Sequence, residues 1–115
     1  MPMEWRQLTD VQQLTDINAQ SHHVPQLLFK HSTRCPISTA AKLRLEQKWR
    51  FDETEVVAYY LDLLQYRNIS DVVAEKYSVY HESPQVILIT SGECTYEASH
   101  LDISVAELHE AMTTE

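Results

Sequence analysis

The sequence predicts an α/β fold, a mixed central sheet of four to five strands with helices on both faces. Three observations carry that prediction. Helical spacing and strand-like runs alternate along the 115 residues. QVILIT, residues 85–90, is the most apolar run and reads as a central strand covered on both sides. Ser91-Gly92-Glu93 then separates it from CTYEAS, as a turn separates the two strands of a hairpin.

Taken in order, Trp5 to Leu8 reads as a short first strand. Thr9 opens a capping box with Gln12, and Val11, Leu14 and Ile17 follow at helical spacing, so a helix is expected from Thr9 to about Ala19. Pro25 introduces QLLFKH, an apolar run that fits a buried strand. Pro36 suits the first position of a helix, where a missing N–H leaves nothing unpaired. Ile37, Ala41, Leu45 and Trp49 recur every four residues as its expected buried stripe, with Lys42, Arg44, Gln47 and Lys48 facing water. EVVAYYLDLL is rich in β-branched and aromatic residues, as strands are. Asn68 is placed to cap a third helix with Ile69, Val72, Val73 and Tyr77 inward. Ser104 caps the last helix with Glu107 three residues on, and Ile103 and Leu108 can form a hydrophobic staple. The order is (β)αβαβαββα in one small domain, residues 1–115. Strands joined through helices are expected to pair in parallel, with the final hairpin adding an antiparallel pair.

Composition excludes several function classes. Seventeen acidic against nine basic residues leave a net charge of −8, which disfavours sequence-independent nucleic-acid binding and an anionic membrane face. No run approaches the apolar length of a membrane span, and MPMEWRQLTD lacks the basic-then-apolar pattern of a signal peptide. Gly92 is the only glycine, so Gly-rich phosphate loops are ruled out. Two cysteines 59 positions apart make no disulfide framework, and a reduced, cytoplasmic monomer is expected.

The chemistry concentrates in FKHSTRCPISTAA, residues 29–41. Cys35 ends a strand and stands just before the proline that opens a helix. A helix start offers unpaired N–H groups and the positive end of the dipole, which favour thiolate, the nucleophilic form of a cysteine. Pro36 fixes the first turn, and the Ser38 hydroxyl can turn toward the sulfur. Arg34, Lys30 and His31 can add positive potential. The competing reading makes Cys35 a small buried hydrophobe.

The element order, the cysteine at a helix start and the proline opening a later central strand resemble the thioredoxin fold. FKHSTRCPIS, HESPQVILI and SHLDI resemble the YtxJ family, the monothiol bacilliredoxins of the bacillithiol system, over nearly the whole chain. Arg34 departs from the smaller polar residue of that pattern. The resemblance implies a redox-active Cys35, a cis Pro84 packed beside it, and Ser38 in the resolving position, where a serine forms no disulfide. It also implies a substrate groove at His81, Ser83 and Pro84, and a thiol-binding corner at His100 and Asp102. No bound cofactor or metal is implied. The co-substrate would be bacillithiol or a similar low-molecular-weight thiol, and the partners S-thiolated proteins. Cys94 lies some six residues along the strand from Pro84, roughly 20 Å, whereas a disulfide needs Cα atoms within about 7 Å, so Cys94 reads as a bystander.

The six histidines match no zinc spacing. His22, His23 and His109 read as surface residues, while His31 and His81 flank the expected site as either thiolate-tuning groups or structural ones. Asp102 and Ser104 admit a simpler role as helix caps. The acidic DETE stretch at 52–55 reads as a solvated loop. Three functions follow: a monothiol thiol-disulfide oxidoreductase, an iron–sulfur cluster carrier of the monothiol glutaredoxin kind, and a catalytically silent interaction module. The Cys-Gly-Phe-Ser motif of cluster carriers is absent.

Overall fold

The computed structural model describes residues 3–113. Strands β1 (Trp5–Gln7), β2 (Gln26–His31), β3 (Val57–Asp62), β4 (Gln85–Thr90) and β5 (Glu93–Ser99) alternate with helices α1 (Gln13–Gln20), α2 (Pro36–Lys48), α3 (Arg67–Lys76) and α4 (Val105–Thr113). A single 3₁₀ turn, His100–Asp102, joins β5 to α4. The expected order is therefore observed, as a five-stranded mixed sheet arranged β1-β3-β2-β4-β5.

The period-2 alternation of the strands divides the core in two. Leu27, Phe29, Val86 and Leu88 pack with Ala41, Leu45, Trp49, Ile103 and Leu108 under α2 and α4. Leu28, Leu61, Ile87 and Ile89 pack with Leu14, Ile17, Ile69, Val73 and Tyr77 under α1 and α3. β2 is buried along its whole length, polar Gln26, Lys30 and His31 included, as a central strand covered on both faces is.

Not all helix-joined strands are parallel. β1 and β2 run parallel to β3, but β4 runs antiparallel to β2, with Lys30 opposite Gln85 and Leu27 opposite Leu88. The ten-residue α3 carries the chain away by about 15 Å. The next segment doubles back along it: the Val79 N–H donates to the Ala74 carbonyl at 3.1 Å, and His81 reaches Ser70. β4 thus begins at the end of the sheet where β2 and β3 finish. The hairpin into β5 closes through Ser91 (φ 53°) and Gly92 (φ 80°), the two positive φ values that a two-residue turn of this twist needs.

Local corrections follow from side-chain competition. α1 begins at Gln13, because the Gln13 amide oxygen accepts the Thr9 and Asp10 N–H groups and holds that stretch as a turn. Val11 is consequently exposed. Asn68 lies in the first turn of α3 and caps nothing; Tyr66 precedes the helix. On α2, Ile37 is 52% exposed and Ser38 fully buried, so the inward stripe is Ser38, Ala41 and Leu45 with Trp49 following. A strict spacing of four drifts around a helix of 3.6 residues per turn, and the stripe recovers by one step of three.

Candidate active site

Cys35 occupies the N-cap position of α2, with extended backbone (φ −102°, ψ 117°) and Pro36 first in the helix. Its backbone is fixed on both sides: its N–H donates to the Ser32 carbonyl at 3.1 Å, and its carbonyl accepts the Thr39 N–H at 3.0 Å and the Thr39 hydroxyl at 3.2 Å. The thiol is free and half-buried, so an incoming disulfide can reach it. The nearby Arg34 and Ile37 are exposed.

Ser38 does not serve the sulfur. Its buried hydroxyl accepts the Ser32 N–H at 3.0 Å and shares a hydrogen bond with His31 Nδ1 at 2.7 Å. The reason is helical geometry: three residues beyond the cap, the side chain points back under the turn into the sheet. His31 is buried, with its ring centroid 5.7 Å from Phe29 and 5.4 Å from Tyr60. Burial, aided by the Lys42 charge, lowers its pKa below the ordinary value, so it is a neutral hydrogen-bonded core residue at pH 7. His31 and Ser38 thus brace the loop that carries Cys35.

The Ser83–Pro84 peptide bond is cis. Pro84 is buried one residue before β4, at the same end of the sheet as Cys35. Ser83 Oγ is buried and lacks a hydrogen-bond partner. The Pro84 carbonyl accepts the His100 N–H at 3.1 Å, which draws the 100–102 turn to the same rim. His100 Nε2 stands 3.6 Å from Glu82 Oε1, and Asp102 is exposed. The Glu107 N–H donates to Ser104 Oγ at 3.1 Å, so Ser104 is the cap of α4. From α2, Arg44 Nη2 donates to the His100 carbonyl at 3.1 Å and the Ile103 carbonyl at 3.3 Å. Arg44, expected to face water, therefore ties the turn in place.

Lys30 is the residue whose position the sequence reading missed. It is fully buried and faces α3, away from the α2 side where His31 lies. Strand alternation places it with Leu28, which packs under α1 and α3, and that period was the available signal. Burial lowers its pKa to about 8, with the Asp71 charge working in the opposite direction. His81 adjoins it on the exposed side, with Nδ1 3.4 Å from Lys30 Nζ. Cys94 sits within β5 opposite Ile89, five residues along β4 from Pro84 and so roughly 16 Å from that end. Among the described residues, no group of three His, Cys, Asp or Glu side chains is placed to hold a metal ion, and no helix is long and apolar enough to cross a membrane.

Comparison with known proteins fits this geometry. The monothiol bacilliredoxin BrxC family matches residues 6–108. The chain belongs to that family. A protein described as a proposed oxidoreductase with a thioredoxin fold is 32% identical, over 91% of this chain and 90% of its own, with a TM-score of 0.79. Thioredoxin from Malassezia sympodialis superposes over 98% of this chain and 92% of its own, with a TM-score of 0.75 at 14% identity. Thioredoxin from Fasciola hepatica does so over 94% and 96%, with a TM-score of 0.69 at 19% identity. At those identities the two thioredoxins speak for the fold alone. The fold is thioredoxin-like, and the family is one of redox proteins.

Proposed function

We propose that this bacilliredoxin-family protein removes bacillithiol, or a similar small thiol, from mixed disulfides on other proteins, and that Cys35 is its nucleophile. The observation that carries the reading is the accessible cysteine at the start of α2, with a buried serine where a second thiol would otherwise stand. In the first step the Cys35 thiolate attacks the small thiol's sulfur. The new S–S bond joins Cys35 to the small thiol, and the target protein leaves as a thiolate. No oxidation state changes overall, because one disulfide replaces another.

Resolution then needs a second thiol. Ser38 supplies none, its hydroxyl is committed to His31 and Ser32, and Cys94 lies beyond disulfide reach along the sheet. A free small thiol or a dithiol partner attacks the adduct, restores the Cys35 thiolate and leaves with the bacillithiol. The reading includes a cytoplasmic setting, where such thiols are kept reduced. The groove at Ser83, Pro84 and His81 would receive the target's chain, and the turn at His100 and Asp102 would face the small thiol.

The test is a bacillithiolated protein in excess over enzyme, followed by intact mass spectrometry. One equivalent of target should be released without added thiol, leaving an adduct on Cys35, and further turnover should begin when free thiol is added. Sustained turnover without any added thiol would defeat the monothiol scheme.

A further inference from the structure

A groove of about 430 Å³ runs between the C-terminal half of α2 and the start of α4. Arg44, Gln47, Lys48 and Arg50 line one wall, and residues 103–106 line the other. Three of the nine basic side chains thus meet in one place, on a chain whose net charge is −8. No carboxylate lines the groove. Arg44 is half-buried, and Lys48 and Arg50 are exposed. The transfer scheme uses none of the three. Arg44 lies nine residues along α2 from Cys35, about 13 Å, so the groove is separate from the thiol.

The carboxylates nearest in sequence are engaged elsewhere. Glu46 accepts Lys42 Nζ and Trp5 Nε1, both at 2.7 Å. Asp52 accepts the Thr54 N–H at 2.8 Å. Glu107 lines a different hollow, with Tyr96 and Asp102. The partners of Arg44 Nη2 are the His100 and Ile103 carbonyls, which leave its charge unneutralised. Among the described residues, none of the three cations forms an ion pair. Like charges one turn apart, as Arg44 and Lys48 are, oppose each other on a helix, and a bound carboxylate relieves that opposition.

Spacing points to the form of the ligand. Arg44 and Lys48 stand one helical turn apart, about 6 Å along the axis. Lys48 ends α2, and Trp49 leaves it with extended backbone (φ −62°, ψ 129°), which carries Arg50 about 6–7 Å further. Alternate residues of an extended chain share a face and recur every 6.6 Å or so, by about 3.3 Å per residue. Three cations in a row at that interval suit several charges in a row better than one small anion. We propose that this groove docks an extended acidic segment of a partner protein, with carboxylates at alternate residues facing Arg44, Lys48 and Arg50. The inference goes beyond the thiol-transfer reading and does not rest on it.

The test uses a fluorescent peptide of alternating glutamate and serine, with its glutamine counterpart as control. Binding is read by anisotropy at about 0.15 M salt, where the Debye length is about 8 Å and the distant acidic residues are largely screened. The glutamate peptide should bind and the glutamine peptide should not. In ¹⁵N amide spectra the shifts should map to residues 44–50 and 103–106. Lys48→Gln with Arg50→Gln should weaken binding by about tenfold, about threefold for each exposed ion pair. Arg67→Gln with Lys76→Gln, on exposed positions of α3, changes the net charge equally and should alter binding by less than about twofold. Equal weakening by both variants would make the effect one of net charge and overturn the proposal. Shifts that map elsewhere, or no saturable binding below about 1 mM, would overturn it as well. Pyrophosphate that binds the groove as tightly as the peptide would assign it to small anions instead. Dimerisation in sedimentation equilibrium that Lys48→Gln with Arg50→Gln abolishes would assign it to a second copy of this chain. Either result would overturn the acidic-segment proposal.

Discussion

Replacing Lys30 with methionine should stabilise this protein at neutral pH. The side chain is fully buried, and its pKa falls from the ordinary 10.5 to about 8, chiefly through desolvation. Each tenfold in that equilibrium is about 1.4 kcal/mol, so holding the charge inside the fold costs up to about 3 kcal/mol below pH 8. The sign follows from proton counting. Between pH 8 and 10.5 the unfolded chain keeps the lysine proton and the native chain has released it, so wild-type stability rises with pH across that window. Methionine has similar length and no charge, but it leaves the Ser70 carbonyl and His81 Nδ1 with one partner fewer. A net gain of about 1–2 kcal/mol at pH 7 is expected. Urea unfolding of both proteins at pH 7 and pH 9.5 gives the comparison, and the advantage of the variant should shrink by about 2 kcal/mol at the higher pH. Comparing the two proteins at each pH isolates Lys30, since burial raises the pKa of Tyr60, Tyr77 and Tyr96 in both. A variant less stable than wild type at pH 7, or a gap that does not change with pH, would refute the reasoning. The former would mean that the lysine's hydrogen bonds outweigh its desolvation.

Other outcomes follow from the same geometry. Ser38→Ala should lower stability by about 1–3 kcal/mol in urea, because it leaves His31 Nδ1 and the Ser32 N–H buried without their partner. Cys35 should be alkylated before Cys94 at mildly alkaline pH, since burial raises the Cys94 pKa above the ordinary thiol value; peptide mass mapping over time reads the order. Cys35→Ser should abolish thiol release and Cys94→Ser should leave it unchanged, in the mass assay described above. Ser104→Ala should cost about 1 kcal/mol through loss of the cap on the Glu107 N–H, visible as a lower thermal midpoint.

Much of the architecture was legible from local pattern. The apolar runs at QLLFKH and QVILIT, Pro36 after Cys35, and the Ser104-Glu107 cap each specify an element through interactions within a few residues, and each stands where expected. The placement of Cys35 at a helix start was legible for the same reason, because Pro36 admits little else there. The segment 9–12 misled because Gln13, rather than Thr9, supplies the capping oxygen, and the two choices differ only in which side chain reaches first.

What tertiary structure alone decided is the environment of the polar side chains. FKHSTRCPIS announces Lys30, His31 and Ser38 as residues near a thiol, but their roles depend on which side of the sheet each one meets. Lys30 turns toward Ser70 and His81, and its burial is supplied by α3, 40 residues later. His31 turns the other way, between Phe29 and Tyr60, and takes the Ser38 hydroxyl that sequence spacing had offered to the sulfur. The direction of β4, expected to be parallel, was decided in the same way, since it depends on the chain doubling back along α3 after the helix ends. Desolvation and hydrogen-bond partners come from segments far apart in sequence, so no local pattern encodes them.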